Sequence, residues 1–376
     1  MRHSAITRRC AISAAAGLFV TTTAVLINPG VSVGQEPIRI GIVLPLGGTN
    51  GEYVRRYLIA PTEFAAKEVN DAGGLLGRQV RIIVEDSRYD PASAVSALRK
   101  LADVDKVLAV FTGFTPLTLP QLPIAEEKKI IILAPSTEHP DLTKSKWAVR
   151  LTPTADKAGL RIAQVAIKQG LKTAAIISED NEAIRLTQRA FQAEFEKLGG
   201  KILIGETFKT QDTDMRGQLT KIRAARADAL YIIVSSGRPM ALVLKQASEV
   251  GLKPKRIFGN HLVEDREVKA LGGAMAEGLI YTTLQVDPAF SQKFKAAFGY
   301  DADANVGKHY DATRLLFEAI KRAGSADDPV KVRDAIYNFG EFKGVLGPVK
   351  FQGSGEPEMY PTLKTVKEGN YVTFAE

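Results

Sequence analysis

Cysteine is almost missing. The one cysteine in 376 residues is Cys10, ahead of an apolar run at the N-terminus, so the body of the chain has no disulfide and depends on its core. The same position rules out a lipid-bearing first residue of a mature lipoprotein. Histidine is scarce too: beyond the N-terminus only His139, His261 and His309 occur. They lack H-E-x-x-H spacing, and without thiolates a closed zinc site is not expected. There is no G-x-x-x-x-G-K-[ST] phosphate loop, and "LGGTNGEY" (46–53) lacks both G-x-G-x-x-G and its lysine. Beyond residue 34 there is no G-x-S-x-G nucleophile elbow. Blocks of one charge sign are also missing. The pI is near 9.3, but Lys and Arg are interleaved with Asp and Glu, and the densest basic stretch is "LKPKR" (252–256). That pattern is a solvated mixed surface, and no nucleic-acid partner is expected.

What is present begins with an export signal. "MRHSAITRR" is basic and free of acids, "CAISAAAGLFVTTTAVLI" is an apolar run of 18 residues, and small residues follow in "NPGVSVG". This order is that of a secretory signal peptide. A membrane anchor is the competing reading for a run of this length, but Ser and Thr interrupt it and small residues close it. "TRRCAI" loosely resembles a twin-arginine signal, with Ala11 where an aromatic residue is usual. We expect residues 1–34 to be the signal and the protein to be periplasmic. Removing 34 residues from 376 leaves 342, and losing three arginines takes the net charge from +8 to +5. A chain of that length divides into two lobes, each large enough for its own core.

Short β-rich runs then alternate with helical patterns. "IRIGIVL" (38–44), "QVRIIVED" (79–86), "VLAVF" (107–111) and "KIIILA" (129–134) are strands with helices between them. Pro61 inside the helical pattern 52–74 predicts a late start or a kink, and Asp90-Pro91 is an N-cap followed by a first-turn proline. The rhythm repeats with strands at 173–178, 201–208, 229–236 and 256–260. Beyond 278 helices predominate, followed by short β signals at 347–351 and a hairpin around Glu368-Gly369-Asn370. Apolar strands separated by amphipathic helices predict α/β architecture: two doubly wound parallel-sheet lobes with a ligand cleft between them.

One turn invites a catalytic reading. "LAPSTEHPDLTKSKW" (133–147) places Ser136, Glu138, His139 and Asp141 at the end of a strand. A catalytic triad is assembled from separated segments, and residues two and three apart in one turn hardly reach its geometry. Turn and cap roles fit His139 and Asp141, while hydroxyls at a strand end fit ligand binding.

Several blocks together resemble the periplasmic solute-binding proteins of branched-chain amino acid ABC importers, the type I "Venus flytrap" class. They are "IRIGIVLPLGG", "AAKEVNDAGGLLGRQVRIIVEDSRYDPASAVSALRKL", "IIILAPSTEHPDLT" and "LKQASEVGLK". The resemblance spans nearly all of 38–376. It implies a non-enzymatic protein without a cofactor, expected to be a monomer, whose lobes shut on a small-molecule ligand and whose closed form meets a membrane permease. It also implies an N-terminal lobe of 36–153 plus 284–341 and a C-terminal lobe of 154–283 plus 342–376, with hinges near 152–156, 282–287 and 340–346.

Carried over position by position, the resemblance nominates Phe114 and Thr115 in "FTGFTPLT" for a ligand carboxylate. It nominates Ser136 and Thr137 for polar contacts, with Glu138 where the family often has threonine. His261 stands where an acid often holds the ammonium of an amino acid, and Ala183 stands near the family's aromatic lid position. Arg55, beside Arg56, and Arg238 are candidates to clamp a carboxylate. Either Glu138 holds an ammonium and the ligand is an amino acid, or the ammonium site is gone. The arginines and His261 tilt the reading toward a carboxylate lacking an α-amino group, such as an aromatic acid. A periplasmic sensor of the same fold and an exported hydrolase acting through Ser136 are the alternatives.

Overall fold

The computed structural model describes residues 36–48, 51–209 and 211–375; the expected signal segment 1–34 lies outside them. Five strands, β1 (Ile38–Leu44), β2 (Val80–Asp86), β3 (Ala109–Gly113), β4 (Ile131–Ser136) and β5 (Ala148–Val149), form a parallel sheet in the order β2-β1-β3-β4-β5. A second sheet has β6 (Thr173–Glu179), β7 (Lys201–Phe208), β8 (Ala229–Ile233), β9 (Arg256–Asn260) and β10 (Ile280–Thr283) in parallel. Two further strands run antiparallel at its edge.

The second sheet shows why its strands are apolar without alternation. Ala175, Ile177, Leu230, Ile232 and Tyr281 belong to one core cluster, whereas their neighbours Ala174, Ile176, Tyr231, Ile233 and Ile280 belong to another. Successive side chains point to opposite faces, and helices cover both. A third cluster, built on β1, β3 and β4, forms the core of the first lobe.

Helix starts follow their capping chemistry. Asp90, Asp287 and Asp328, each followed by proline, accept backbone N–H bonds of the first turn. Pro61 is accommodated by a π-turn over Arg55–Ile59, from which the helix Ala60–Asp71 continues. A wider turn absorbs the backbone bond that proline cannot donate.

The last crossover differs from the expected division. Strands β11 (Gly340–Gly344), β12 (Gly347–Phe351) and β13 (Pro357–Glu358) form a small antiparallel sheet. Its Phe342, Val349 and Phe351, with Met359, pack in the first lobe's core. The chain joins the second lobe only at β14 (Thr362–Lys367) and β15 (Asn370–Thr373). The sequence reading put all of 342–376 in the second lobe and a hinge at 340–346; alternating apolar residues do not say which core they enter. At the other end of this sheet, Asp311 accepts the N–H groups of Val345 and Leu346 at 2.8 and 3.0 Å, pinning it to the first lobe.

Candidate ligand-binding cleft

The carboxyl ends of β3, β4, β6, β8 and β9 carry most of the nominated residues, as open α/β sheets dictate. The structure sorts them. At the end of β4, Ser136 Oγ lies 2.9 Å from His309 Nε2, a residue 173 positions away. The next residue, Thr137, points the other way, and its buried hydroxyl is 2.9 Å from that of Thr118. Thr137 is therefore turned into the lobe and not toward a ligand. Glu138 is partly exposed, with Oε1 3.7 Å from Lys308 Nζ, and its carbonyl accepts the N–H of Ala155 in the connection between lobes at 3.2 Å. Phe114 follows β3 in a left-handed conformation (φ 67°) and packs against Tyr89 with ring centroids 5.6 Å apart. Thr115 opens the short helix Thr115–Thr118 beside it.

The two arginines take other partners. Arg55 is exposed and donates to the Leu46 carbonyl at 2.6 Å, which ties down the loop after β1. Arg56 pairs with Glu52 and stacks 4.1 Å over the Tyr300 ring. Arg238 is 65% exposed with Glu267 3.7 Å away. The expected arginine clamp is not what these positions form, because side chains so exposed find nearer partners at the rim.

The cation beside Glu138 is Lys308, which the sequence reading missed. It sits in the helix Ala304–Ala323, 15 of whose 20 residues are buried, and is itself 4% exposed. A visible signal existed: Ala304, Lys308 and Ala312 repeat at four-residue spacing, so Lys308 occupies an otherwise apolar stripe. His309 is fully buried beside it. Desolvation, and then the Lys308 ammonium, push the pKa values of His309 and of His261 from the second lobe down to about 3, so both are neutral. His261 is half-buried at the end of β9. Glu264 is already held by the Tyr281 hydroxyl and Lys364, and Glu179 accepts both the N–H and the hydroxyl of Ser235.

Aromatic rings border this polar centre on the first-lobe side. Tyr53 and Tyr57 stack with centroids 5.1 Å apart, and the Tyr53 oxygen accepts from Asn305 at 2.6 Å. Burial, with Asp303 and then the second lobe's Asp265 nearby, raises the Tyr53 pKa. Burial and Glu179 raise that of Tyr89.

The Ser136–His309 pair has the spacing of a nucleophile and its base, but His309 Nδ1 is buried without a hydrogen-bond partner. A general base needs a third group to orient it. His139 Nδ1 instead accepts the Asp141 N–H, and Asp141 pairs with Lys144 at 2.7 Å, so these two residues serve as caps within the turn. Among the described residues no cluster of three or more His, Cys, Asp or Glu could hold a metal ion, and no helix is long and apolar enough to cross a membrane.

Four shifted titratable groups have a consequence for stability. Asp303 and Asp311 are raised to about 6 by burial, while His261 and His309 are depressed to about 3. The raised aspartates add stability as pH falls from 6 toward 4, and the depressed histidines remove it as pH falls from 6.5 toward 3. Two protons released on unfolding offset two taken up, so the urea midpoint should stay level between about pH 4 and 6. Below pH 4 it should drop, because the histidines continue to charge and Asp228, held at about 2 first by Lys255, protonates on unfolding. The histidines acting alone would give a steady decline of about 2.7 kcal/mol per pH unit from pH 6; observing that slope would refute the balance.

Known proteins agree with this architecture. Residues 37–362 match the family described as "Periplasmic binding protein". Leu/Ile/Val-binding protein homolog 1 of Brucella suis is 28% identical over 334 residues, spanning 86% of this chain and 88% of that protein. The leucine binding protein LivK of Thermotoga maritima superposes with a TM-score of 0.80 at 26% identity, covering 90% of this chain and 98% of that one. A solute binding protein from Rhodopseudomonas palustris in complex with 3,4-dihydroxybenzoic acid superposes with a TM-score of 0.80 at 21% identity, covering 90% and 96%; at that identity the likeness is one of fold. The chain belongs to the periplasmic binding protein family, as a substrate-binding protein of the branched-chain amino acid type of ABC transporter.

Proposed function

We propose that the cleft binds an aromatic carboxylate and presents it to the membrane permease of an ABC importer. One observation carries the choice of ligand: Lys308, a residue 4% exposed, whose ammonium has its nearest carboxylate 3.7 Å away, beyond hydrogen-bond distance. Among the described residues the Lys308 ammonium makes no hydrogen bond and has only Glu138 as an ion-pair partner, so its N–H donors are free for an added acceptor. A ligand carboxylate supplies the missing acceptor, with Ser136 and Thr115 beside it. Glu138 already faces Lys308, so an α-ammonium group would have to compete for it. Tyr53, Tyr57, Tyr89 and Phe114 provide ring faces for an aromatic body. This keeps Ser136, Glu138, His261, Phe114 and Thr115 as ligand-side residues, adds Lys308 and Tyr53, and leaves Arg55 and Arg238 outside.

Binding needs no reaction step. A ligand that touches both lobes favours the shut form by its extra contacts. The crossovers near 152–156, 283–287 and 359–361 would serve as hinges. Export by the 1–34 segment and residence in the periplasm complete the proposal.

A thermal-shift series tests it. A ligand that binds only the folded state raises stability by RT ln(1 + [L]/Kd), about 2.7 kcal/mol at a hundredfold excess over Kd. Benzoate and 4-hydroxybenzoate are expected to give larger shifts than leucine, valine, succinate or benzamide at equal concentration. A largest shift from leucine or valine would show that the ammonium site survives and that the carboxylate reading is wrong.

A further inference from the structure

We propose that His309 is a positioning residue that donates to the Ser136 oxygen and so leaves the Ser136 O–H free to donate, which favours an accepting ligand group at the end of β4. The inference rests on the carboxylate reading above and deepens it by naming what enforces the choice.

The argument is one of tautomers. His309 is fully buried and neutral, so its ring carries one N–H. Two arrangements satisfy the 2.9 Å contact with Ser136 Oγ. If Nδ1 carried the proton, Nε2 would accept from the Ser136 hydroxyl, and the N–H on Nδ1 would be buried without a partner. If Nε2 carries it, His309 donates to Ser136 and Nδ1 keeps only a lone pair. Orphaned buried N–H groups are rarer than under-satisfied acceptors, so the second arrangement is favoured. The Ser136 oxygen then receives the imidazole N–H, and its own O–H is left to point into the cleft. With the Lys308 ammonium nearby, that part of the cleft presents donors from both groups. A carboxylate accepts from both; an ammonium is repelled by Lys308 and finds only the second lone pair of the Ser136 oxygen.

The ligand-free protein gives the first test. With 15N-labelled histidine, long-range proton–nitrogen correlation spectra should show His309 with Nε2 protonated and Nδ1 bare from pH 5 to 8. A proton on Nδ1, or an imidazolium at pH 7, overturns the proposal without reference to any ligand. The second test uses benzoate as the probe in calorimetry. His309→Phe, which removes the donor, should weaken binding about tenfold, the scale of one hydrogen bond. His309→Gln, whose amide N–H reaches the same place, should restore most of the loss. Ser136→Ala should lose about as much as His309→Phe, and the double variant no more than either alone, because His309 acts only through Ser136. A double variant whose losses add would show a merely structural role and sink the proposal. If benzoate does not bind the unsubstituted protein, the carboxylate reading fails while the tautomer still decides the relay. If His309→Phe does not fold, the spectra and His309→Gln carry the test.

Discussion

Lys308→Met is expected to weaken benzoate binding by about 150-fold, which corresponds to about 3 kcal/mol. The magnitude follows from where the ammonium sits. Lys308 is 4% exposed, so its bond to a ligand carboxylate would form with little water to screen it, where charge-assisted hydrogen bonds are strongest. Removing it also uncovers Glu138, whose carboxylate lies 3.7 Å from Lys308 Nζ and would then face the incoming anion unopposed. A second substitution, Glu138→Gln in the Lys308→Met background, should recover part of the loss by removing that repulsion. Methionine keeps most of the side-chain volume, so a urea midpoint close to that of the unsubstituted protein separates a binding defect from an unfolded one. Affinity within threefold of the original would mean that the ligand's charge is met elsewhere.

The largest stability effect is expected at Arg150. This side chain is fully buried, and burial pulls its pKa below the ordinary arginine value. Its Nη1 donates to the carbonyls of Thr137 and His139 at 3.1 and 2.9 Å, and its Nε to Glu356 Oε2 at 3.0 Å. One guanidinium thus ties the turn that carries Glu138 to the segment just before the last crossover. Arg150→Met would leave two carbonyls and a carboxylate without their donor. Breaking one side of a buried pair costs 3–5 kcal/mol. Glu356 is 32% exposed and also accepts from Thr143, which puts Arg150→Met near the lower limit, about 3 kcal/mol. A chain of this size should then melt roughly 5 °C lower. Arg150→Lys should recover less than half, since a point charge cannot reach both carbonyls and the carboxylate at once. A loss under about 1 kcal/mol for Arg150→Met would show that the turn is held by other contacts.

The two residues share a lesson about legibility. Lys308 stood on an apolar helical stripe in plain sight, but nothing local says that the stripe faces β4 or that Glu138, far away in sequence, ends beside it. Arg150 has no local signal at all; its partners come from 137–139 and from 356. Ser136 and Thr137 mark an intermediate case. Both were nominated from one strand end, and the alternation of a strand already implied that only one could face the cleft. In the structure Thr137 finds Thr118 inside the lobe, whereas Ser136 meets His309. Arg55 and Arg238 were nominated for their charge, and the exposed rim gave them nearer partners.

Sequence by itself determined the α/β class, the placement of most strands, the proline-marked helix starts and the hairpin at Glu368-Gly369, where both residues have positive φ. Those features depend on hydrogen bonds and side-chain periodicity within a few residues, which a linear reading captures. Tertiary structure alone decided that Lys308 and His309 join Ser136 and Glu138, that Arg150 braces the turn, and that β11–β13 pack on the first core. These depend mostly on contacts between segments far apart in the chain, where a charge or a ring has no meaning until the fold gives it a neighbour.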